Sequence, residues 1–256
     1  MAEPPRLLDP RWLKLRSATP ARIGLARAGA AVTSRELLAF QRAHAEARDA
    51  VHEKFDAAPL LAGLAAQGLA PVALASAAGD RHTYLLRPDL GRRLDDASRD
   101  RLATLPRGHD LVFVLADGLS ARALMRHALP LLAAALPSFR AQAWRIGPAA
   151  VVDQGRVAIG DEIGAALDAA LVAVLIGERP GLSAPDSLGV YLTWAPKPGR
   201  SDAERNCLSN IRPEGMGYTE AAQRLFHLAT EARRRKLTGI ALKDETTPSL
   251  TSGDRD

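Results

Sequence analysis

The sequence predicts an α/β protein with a mainly parallel sheet flanked by helices. It is Rossmann-like but lacks a dinucleotide loop, and a mainly helical N-terminal part precedes it. Three observations carry this expectation. From Asp110 onward, short apolar runs alternate with helix-length segments, as in parallel strands joined by crossover helices. Residues 171–176 are continuously apolar, as a strand buried on both faces must be. The 256-residue chain is 47% hydrophobic but only 4% aromatic, so its core rests on aliphatic side chains.

Taken in order, residues 1–20 are broken by Pro4, Pro5, Pro10 and Pro20 and read as an extended arm with one helical turn. Residues 33–56 form the clearest helix. Thr33-Ser-Arg-Glu36 has the capping-box pattern, in which hydroxyl and carboxylate each satisfy an orphan amide. Leu37, Gln41 and His44 share a face, so His44 reads as a packing residue. His44 and His52 lie two turns apart, beyond the i, i+4 spacing that shares a metal. Residues 71–76 and 84–86 are candidate strands, and Arg87-Pro88 forces a turn. Arg87, Arg92 and Arg93 suit either a solvated turn or an anion-docking surface.

Residues 111–115 read as a buried strand. The loop Ala116-Asp-Gly-Leu-Ser120 follows, with Ser120 capping a helix over 121–136 that bends or restarts at Pro130. Short strands are expected at 144–146 and 150–152, a turn at Gln154-Gly155, and extended chain at 157–159. Asp161 is expected to cap a helix ending about residue 169. The strand 171–176 then stops in Gly177-Glu-Arg-Pro-Gly181. A further strand at 191–194, a polar loop at 201–211 carrying Cys207, and a helix at 220–235 complete the unit. The basic end Arg233-Arg-Arg-Lys236 complements the negative helix terminus. The domain reading is an arm (1–20), a mainly helical part (21–100), an α/β unit (101–242) and a disordered tail (243–256) without apolar anchors.

The net charge of +5 favours anionic partners through the summed field. No helix-turn-helix, zinc-finger or single-strand-binding signature points to nucleic acid. The single cysteine, Cys207, allows no intrachain disulfide, and a reducing cytoplasm is the expected compartment. No apolar run reaches the roughly twenty residues of a membrane span. The start, Met-Ala-Glu-Pro-Pro-Arg, lacks the features of a secretory signal.

Glu178 and Arg179 end a buried strand, where open α/β sheets bind ligands. The plainer alternative is an ion pair solvating a turn. Gly118-Leu-Ser120 supplies half of a nucleophile elbow, but Arg122 stands where the second glycine belongs, and no histidine is spaced as a base. No G-x-G-x-x-G or P-loop follows any strand, and nothing in the sequence activates Cys207.

Seven stretches are similar, in order and spacing, to the small (light) subunit of ethanolamine ammonia-lyase. They are Arg22-Ile-Gly-Leu-Ala-Arg-Ala-Gly29, His44-Ala-Glu-Ala-Arg-Asp-Ala-Val-His52, Tyr84-Leu-Leu-Arg-Pro-Asp-Leu-Gly-Arg-Arg-Leu94, Asp117-Gly-Leu-Ser120, Gly155-Arg-Val-Ala-Ile159, Gly177-Glu-Arg-Pro-Gly-Leu182 and Cys207-Leu-Ser-Asn-Ile211. Each alone is unspecific; together they carry the resemblance.

The resemblance implies an adenosylcobalamin-dependent lyase that converts ethanolamine to acetaldehyde and ammonia. It implies a large-subunit partner that carries the substrate site, in a hetero-oligomer without nucleic-acid or membrane partners. The family's cobalamin-site positions fall on Val157, Glu178 and Cys207, with Arg156 beside them. No acid, base, nucleophile or metal ligand is assigned to this chain. No histidine sits in an Asp-x-His-x-x-Gly motif, so the cofactor is expected base-on, keeping its own dimethylbenzimidazole as lower ligand. Some family members carry a longer N-terminal tail that addresses a bacterial microcompartment. Here the arm is short and proline-rich, so the cytoplasm is the expected location and the microcompartment a second one. The alternatives are a non-catalytic α/β binding or scaffold protein and, well behind it, a serine hydrolase using Ser120.

Overall fold

Strand β4 (His109–Ala116) is buried on both sides, with Leu111, Phe113 and Leu115 in one apolar cluster and Val112, Val114 and Ala116 in another. A strand covered twice reads as a continuous apolar run, and that run organises the molecule. The computed structural model describes residues 10–243.

The remaining sheet strands are β3 (Pro71–Ala75), β5 (Ala149–Asp153), β6 (Ala169–Gly177), β7 (Leu188–Trp194) and β8 (Asn206–Ile211). They form one sheet in the order β3-β5-β4-β6-β7-β8. The first four are mutually parallel; β7 runs antiparallel to β6, and β8 antiparallel to β7. Helices α3 (Ala58–Ala66), α6 (Ala121–Ala141) and α8 (Tyr218–Arg235) cover one face. Helices α5 (Asp96–Ala103) and α7 (Ile159–Ala166) cover the other. The chain leaves β4 for β5 on one side and then crosses to β6 on the other. The carboxyl ends of these three strands therefore open around a topological switch point, where such sheets bind ligands.

Outside the sheet lie α1 (Pro10–Ser17), a hairpin of β1 (Arg27–Ala28) and β2 (Ala31–Val32), α2 (Ser34–His52), and α4 (Arg81–Leu86). The expected arm thus contains a two-turn helix; residues 1–9 and the tail beyond 243 lie outside the described residues.

Helix α2 begins after Thr33, but no side-chain bond caps it, and Glu36 pairs instead with Arg16 at 3.5 Å. Its buried face is Ala43, Ala47 and Ala50. Leu37, Leu38 and Phe40 are exposed, and so is His44, which stacks on Phe40 rather than packing inward.

Several local expectations are overturned. Residues 84–86 belong to α4, because Asp80 caps that helix by accepting from the Thr83 amide at 3.0 Å. Residues 144–146 form no strand; only Ile146 bridges to Leu111. Residues 157–159 are a turn entering α7, not extended chain. Asp161 lies inside α7 rather than at its cap, and the helix ends at Ala166, before β6 begins. Residues 201–211 are a short 3-10 turn followed by β8, not a loop. Helix α6 runs through Pro130 and Pro137 without restarting. An internal proline costs about 3 kcal/mol. The apolar residues buried on both sides of Pro130, among them Leu124, Leu131, Leu136 and Phe139, contribute about 1.5–3 kcal/mol each and outweigh it.

Candidate functional site

The loops after β4, β5 and β6 meet because their last residues pair, Ala116 with Val152 on one side and with Ile176 on the other. Close approach at this edge requires glycine. Gly118 has φ +60°, and a Cβ there would run into the Gly177 carbonyl; a Cβ on Gly177 would meet the Ser120 carbonyl. Ser120 is fully buried; its hydroxyl accepts from the Ala123 amide at 3.3 Å and donates to the Pro185 carbonyl at 3.1 Å. It is a helix cap, not an accessible nucleophile.

Between these loops lies a cleft of about 220 Å³, lined by Tyr84, Arg156, Val157, Glu178, Arg179 and Tyr191, with Gly118 and Gly177 at its floor. A larger cleft of about 590 Å³ shares Arg156 and Val157 and extends to Arg92, Arg93 and Arg200. Three of the four expected residues thus fall together. Cys207 adjoins rather than lines the smaller cleft. It sits across from Tyr191 in the β7–β8 register, its side chain against the phenol. Its surface is open to solvent, yet the protein atoms around the sulfur push the thiol's pKa up, which keeps it protonated and unreactive.

Arg156 follows the turn at Gln154. Its guanidinium lies 4.2 Å from the Tyr84 ring centroid, a cation–π stack, and Nη2 donates to the Tyr84 carbonyl at 3.1 Å. Its Nε is buried and has no hydrogen-bond partner among the described residues. Val157 packs on the apolar cluster around α7. Glu178 is half-buried; its Oε1 accepts from the Ser209 hydroxyl at 2.6 Å and its Oε2 from the Asn210 amide at 3.1 Å. These bonds tie β6 to the far strand β8. Arg179 is exposed and has no ion pair among the described residues. The loop behind it is pinned at Asp186, which faces Arg126 at 2.9 Å, Arg212 at 3.5 Å and His127 at 3.6 Å.

Under the cleft lies a polar cluster that sequence reasoning missed. Asp117, 1% exposed, accepts from the Gly118 amide at 3.0 Å and the Gly155 amide at 3.1 Å, and faces Arg81 at 3.4 Å. Burial, the largest influence, pushes its pKa up to about 7; Arg81 opposes the rise and Asp153 adds to it. Tyr84 is fully buried and donates to the Gly155 carbonyl at 3.2 Å. Burial raises the phenol's pKa, so it stays a donor. The available signal was a lone carboxylate directly after an apolar strand.

A second buried pair braces the larger cleft. Arg205 and Asp161, both nearly excluded from solvent, share two hydrogen bonds of 2.7 Å, and Thr193 accepts from Arg205 at 2.9 Å. Among the described residues no helix is long and apolar enough to cross a membrane.

This architecture defines a class: an α/β protein with a polar-rimmed cleft at the carboxyl edge of a doubly wound sheet, built without a phosphate loop. Comparison with known proteins narrows the class. The family model described as ethanolamine ammonia-lyase light chain (EutC) matches residues 9–243. A protein named ethanolamine ammonia-lyase small subunit from Ralstonia nicotianae is 55% identical over 249 residues, covering 95% of this chain and 92% of its own length. Proteins of the same name from Pseudomonas fluorescens and Azotobacter vinelandii are 53% and 54% identical, covering 100% and 94% of this chain and 95% and 91% of their own lengths. The chain belongs to the ethanolamine ammonia-lyase light-chain family, a family of lyase subunits.

Proposed function

We propose that this chain is the small subunit of an adenosylcobalamin-dependent ethanolamine ammonia-lyase, helping to hold the cofactor against a large subunit that carries the substrate site. The observation that supports this most is the convergence of Arg156, Val157 and Glu178 from two strand ends on one cleft, in a member of this family. When bound, adenosylcobalamin supplies the cobalt–carbon bond homolysis that starts the conversion of ethanolamine to acetaldehyde and ammonia. This chain's part is binding and exclusion of water.

The residues fit a broad amphipathic ligand with amide arms and a phosphodiester. Val157 offers an apolar wall. Glu178, held by Ser209 and Asn210, presents fixed acceptor oxygens to N–H or O–H donors. Arg156 offers donors for a phosphate or an amide carbonyl, since among the described residues its side chain makes one hydrogen bond, from Nη2. Cys207 stands beside Tyr191 as a neutral neighbour of the cleft rather than part of its lining. The cleft, at about 220 Å³, is smaller than the roughly 300–1,000 Å³ that encloses a drug-sized ligand. The ligand therefore lies across it and needs a second protein to close the other side, which is the role assigned to the large subunit.

The cofactor is read as base-on. Neither cleft is lined by any of the six histidines, all of which are described. Electron paramagnetic resonance of the cobalt(II) state with nitrogen-labelled protein tests this; coupling to a histidine nitrogen excludes it. The assembly is read as cytoplasmic, with microcompartment residence decided by whether it co-sediments with protein shells.

Glu178→Gln in the co-purified complex is expected to weaken cobalamin binding more than it weakens folding. A spectral titration that finds equal affinity removes Glu178 from the site. Failure of the unmodified complex to release ammonia in a cobalamin-dependent manner overturns the whole reading and favours a non-catalytic scaffold.

A further inference from the structure

We propose that Asp117 is a positioning residue of the cleft: its carboxylate grips the Gly155 amide and so sets the backbone that presents Arg156 and Val157 to the ligand. The role rests on the cobalamin reading, but the grip itself is measurable without the cofactor.

The segment from 155 to 156 is held from three directions. Asp117 Oδ1 accepts from the Gly155 amide at 3.1 Å. The Tyr84 hydroxyl donates to the Gly155 carbonyl at 3.2 Å. The Arg156 amide donates to the Gly91 carbonyl at 2.7 Å. Gly155 has no slack of its own, because an added Cβ would lie 2.9 Å from the Ala116 side chain. Arg156 is then folded onto the Tyr84 ring. Asp117 reaches no cleft surface, so it acts through Gly155. Its other oxygen faces Arg81, which also donates to the Gly118 carbonyl at 2.7 Å and to Gln154 at 3.3 Å. One carboxylate and one guanidinium thereby join the loop after β4, the loop after β5 and helix α4.

A carboxylate buried this deeply disfavours its own charged form, and such groups cluster where a site must be held in shape. The charged and titratable groups facing it are Arg81 and Tyr84 from α4 and Asp153 from β5; its own strand contributes none. Protonation replaces an acceptor facing Arg81 with a donor. The pair separates, and the bridge through Gln154 and Gly118 slackens. Near neutral pH, where the group titrates, ligand affinity therefore falls as pH falls.

The test uses the full chain co-purified with its large subunit, with cyanocobalamin as the probe in spectral titrations at pH 6 and pH 8. The native complex is expected to bind about tenfold more tightly at the higher pH. Asp117→Asn, which keeps an acceptor for Gly155 but places a donor against Arg81, is expected to bind more weakly and equally at both values. Asp117→Ala is expected to bind more weakly still. Hydrogen exchange at the Gly155 amide, read in the isolated chain, is expected to quicken in Asp117→Ala, or in Asp117→Ser, whose shorter side chain withdraws the acceptor, should the alanine variant not fold. Unchanged exchange overturns the proposal, as does an Asp117→Asn affinity that matches the native complex at both pH values. If the native complex takes up no probe while Gly155 exchange responds, the cofactor reading fails and the grip survives.

Discussion

At the scale of single residues, the charged form of Asp117 beneath the smaller cleft works against the stability of the fold. Asp117 has a folded pKa of about 7, above its ordinary value of 3.8. The folded chain therefore binds more protons than the unfolded chain between those values, and stability declines as pH rises through that window. Replacing Asp117 with Asn removes this dependence. Denaturant unfolding at pH 5 and pH 8 is expected to show the native chain losing stability relative to Asp117→Asn as pH increases. The Arg205–Asp161 pair differs, being matched by two hydrogen bonds of 2.7 Å. Arg205→Met leaves Asp161 charged and buried without a partner, and urea unfolding is expected to show a loss of about 3–5 kcal/mol. Cys207, with its raised pKa, is expected to react with iodoacetamide at pH 7 no faster than a free thiol despite its exposure. Rapid labelling excludes the environment described for it.

At the scale of elements, sequence reading succeeded where the chemistry is repetitive. Strands β4 and β6 carry the uninterrupted apolar runs 111–116 and 169–176, as doubly covered strands do. Ser120 was legible because capping is local: hydroxyl and amide lie three residues apart. Ser120→Ala is expected to cost about 1 kcal/mol, measured as a shift in chemical unfolding. The failures are equally physical. Residues 84–86 and 157–159 are apolar triplets too short to show a period, so either helix or strand accommodates them. For the first, the decisive signal was Asp80, one position before the helix, which the triplet itself does not contain. Strand β8 was hidden because only Leu208 and Ile211 of its six residues are buried. Glu178 was legible as a strand-end residue, whereas Arg156, Val157 and a pocket role for Cys207 could be named only through family resemblance. The Arg81–Asp117 pair spans 36 positions and left no trace in spacing.

At the scale of the whole molecule, apolar exposure is uneven. Trp12, Leu13, Leu15, Val32, Leu37, Leu38 and Phe40 are all exposed and all lie before the first strand of the main sheet. Leu38, the most exposed of them at 63%, adds the least to this chain's own folding free energy. Leu38→Lys is expected to change the unfolding free energy by less than about 0.5 kcal/mol, and a larger loss in a denaturant titration shows that α2 packs more than its exposure indicates. The main sheet behaves oppositely, because the cleft draws on nearly its full length. Tyr84 comes from α4, Arg156 from the turn after β5 and Glu178 from the end of β6, and Ser209 and Asn210 of β8 hold Glu178 in place. Synthesis runs from the N-terminus, so a ribosome-bound chain holds Arg156 long before the strand that steadies Glu178 has emerged. Under the proposed function, the Glu178 side of the cleft is complete only once β8 has been made, and loss of that strand is expected to weaken ligand binding even where the parallel strands have folded.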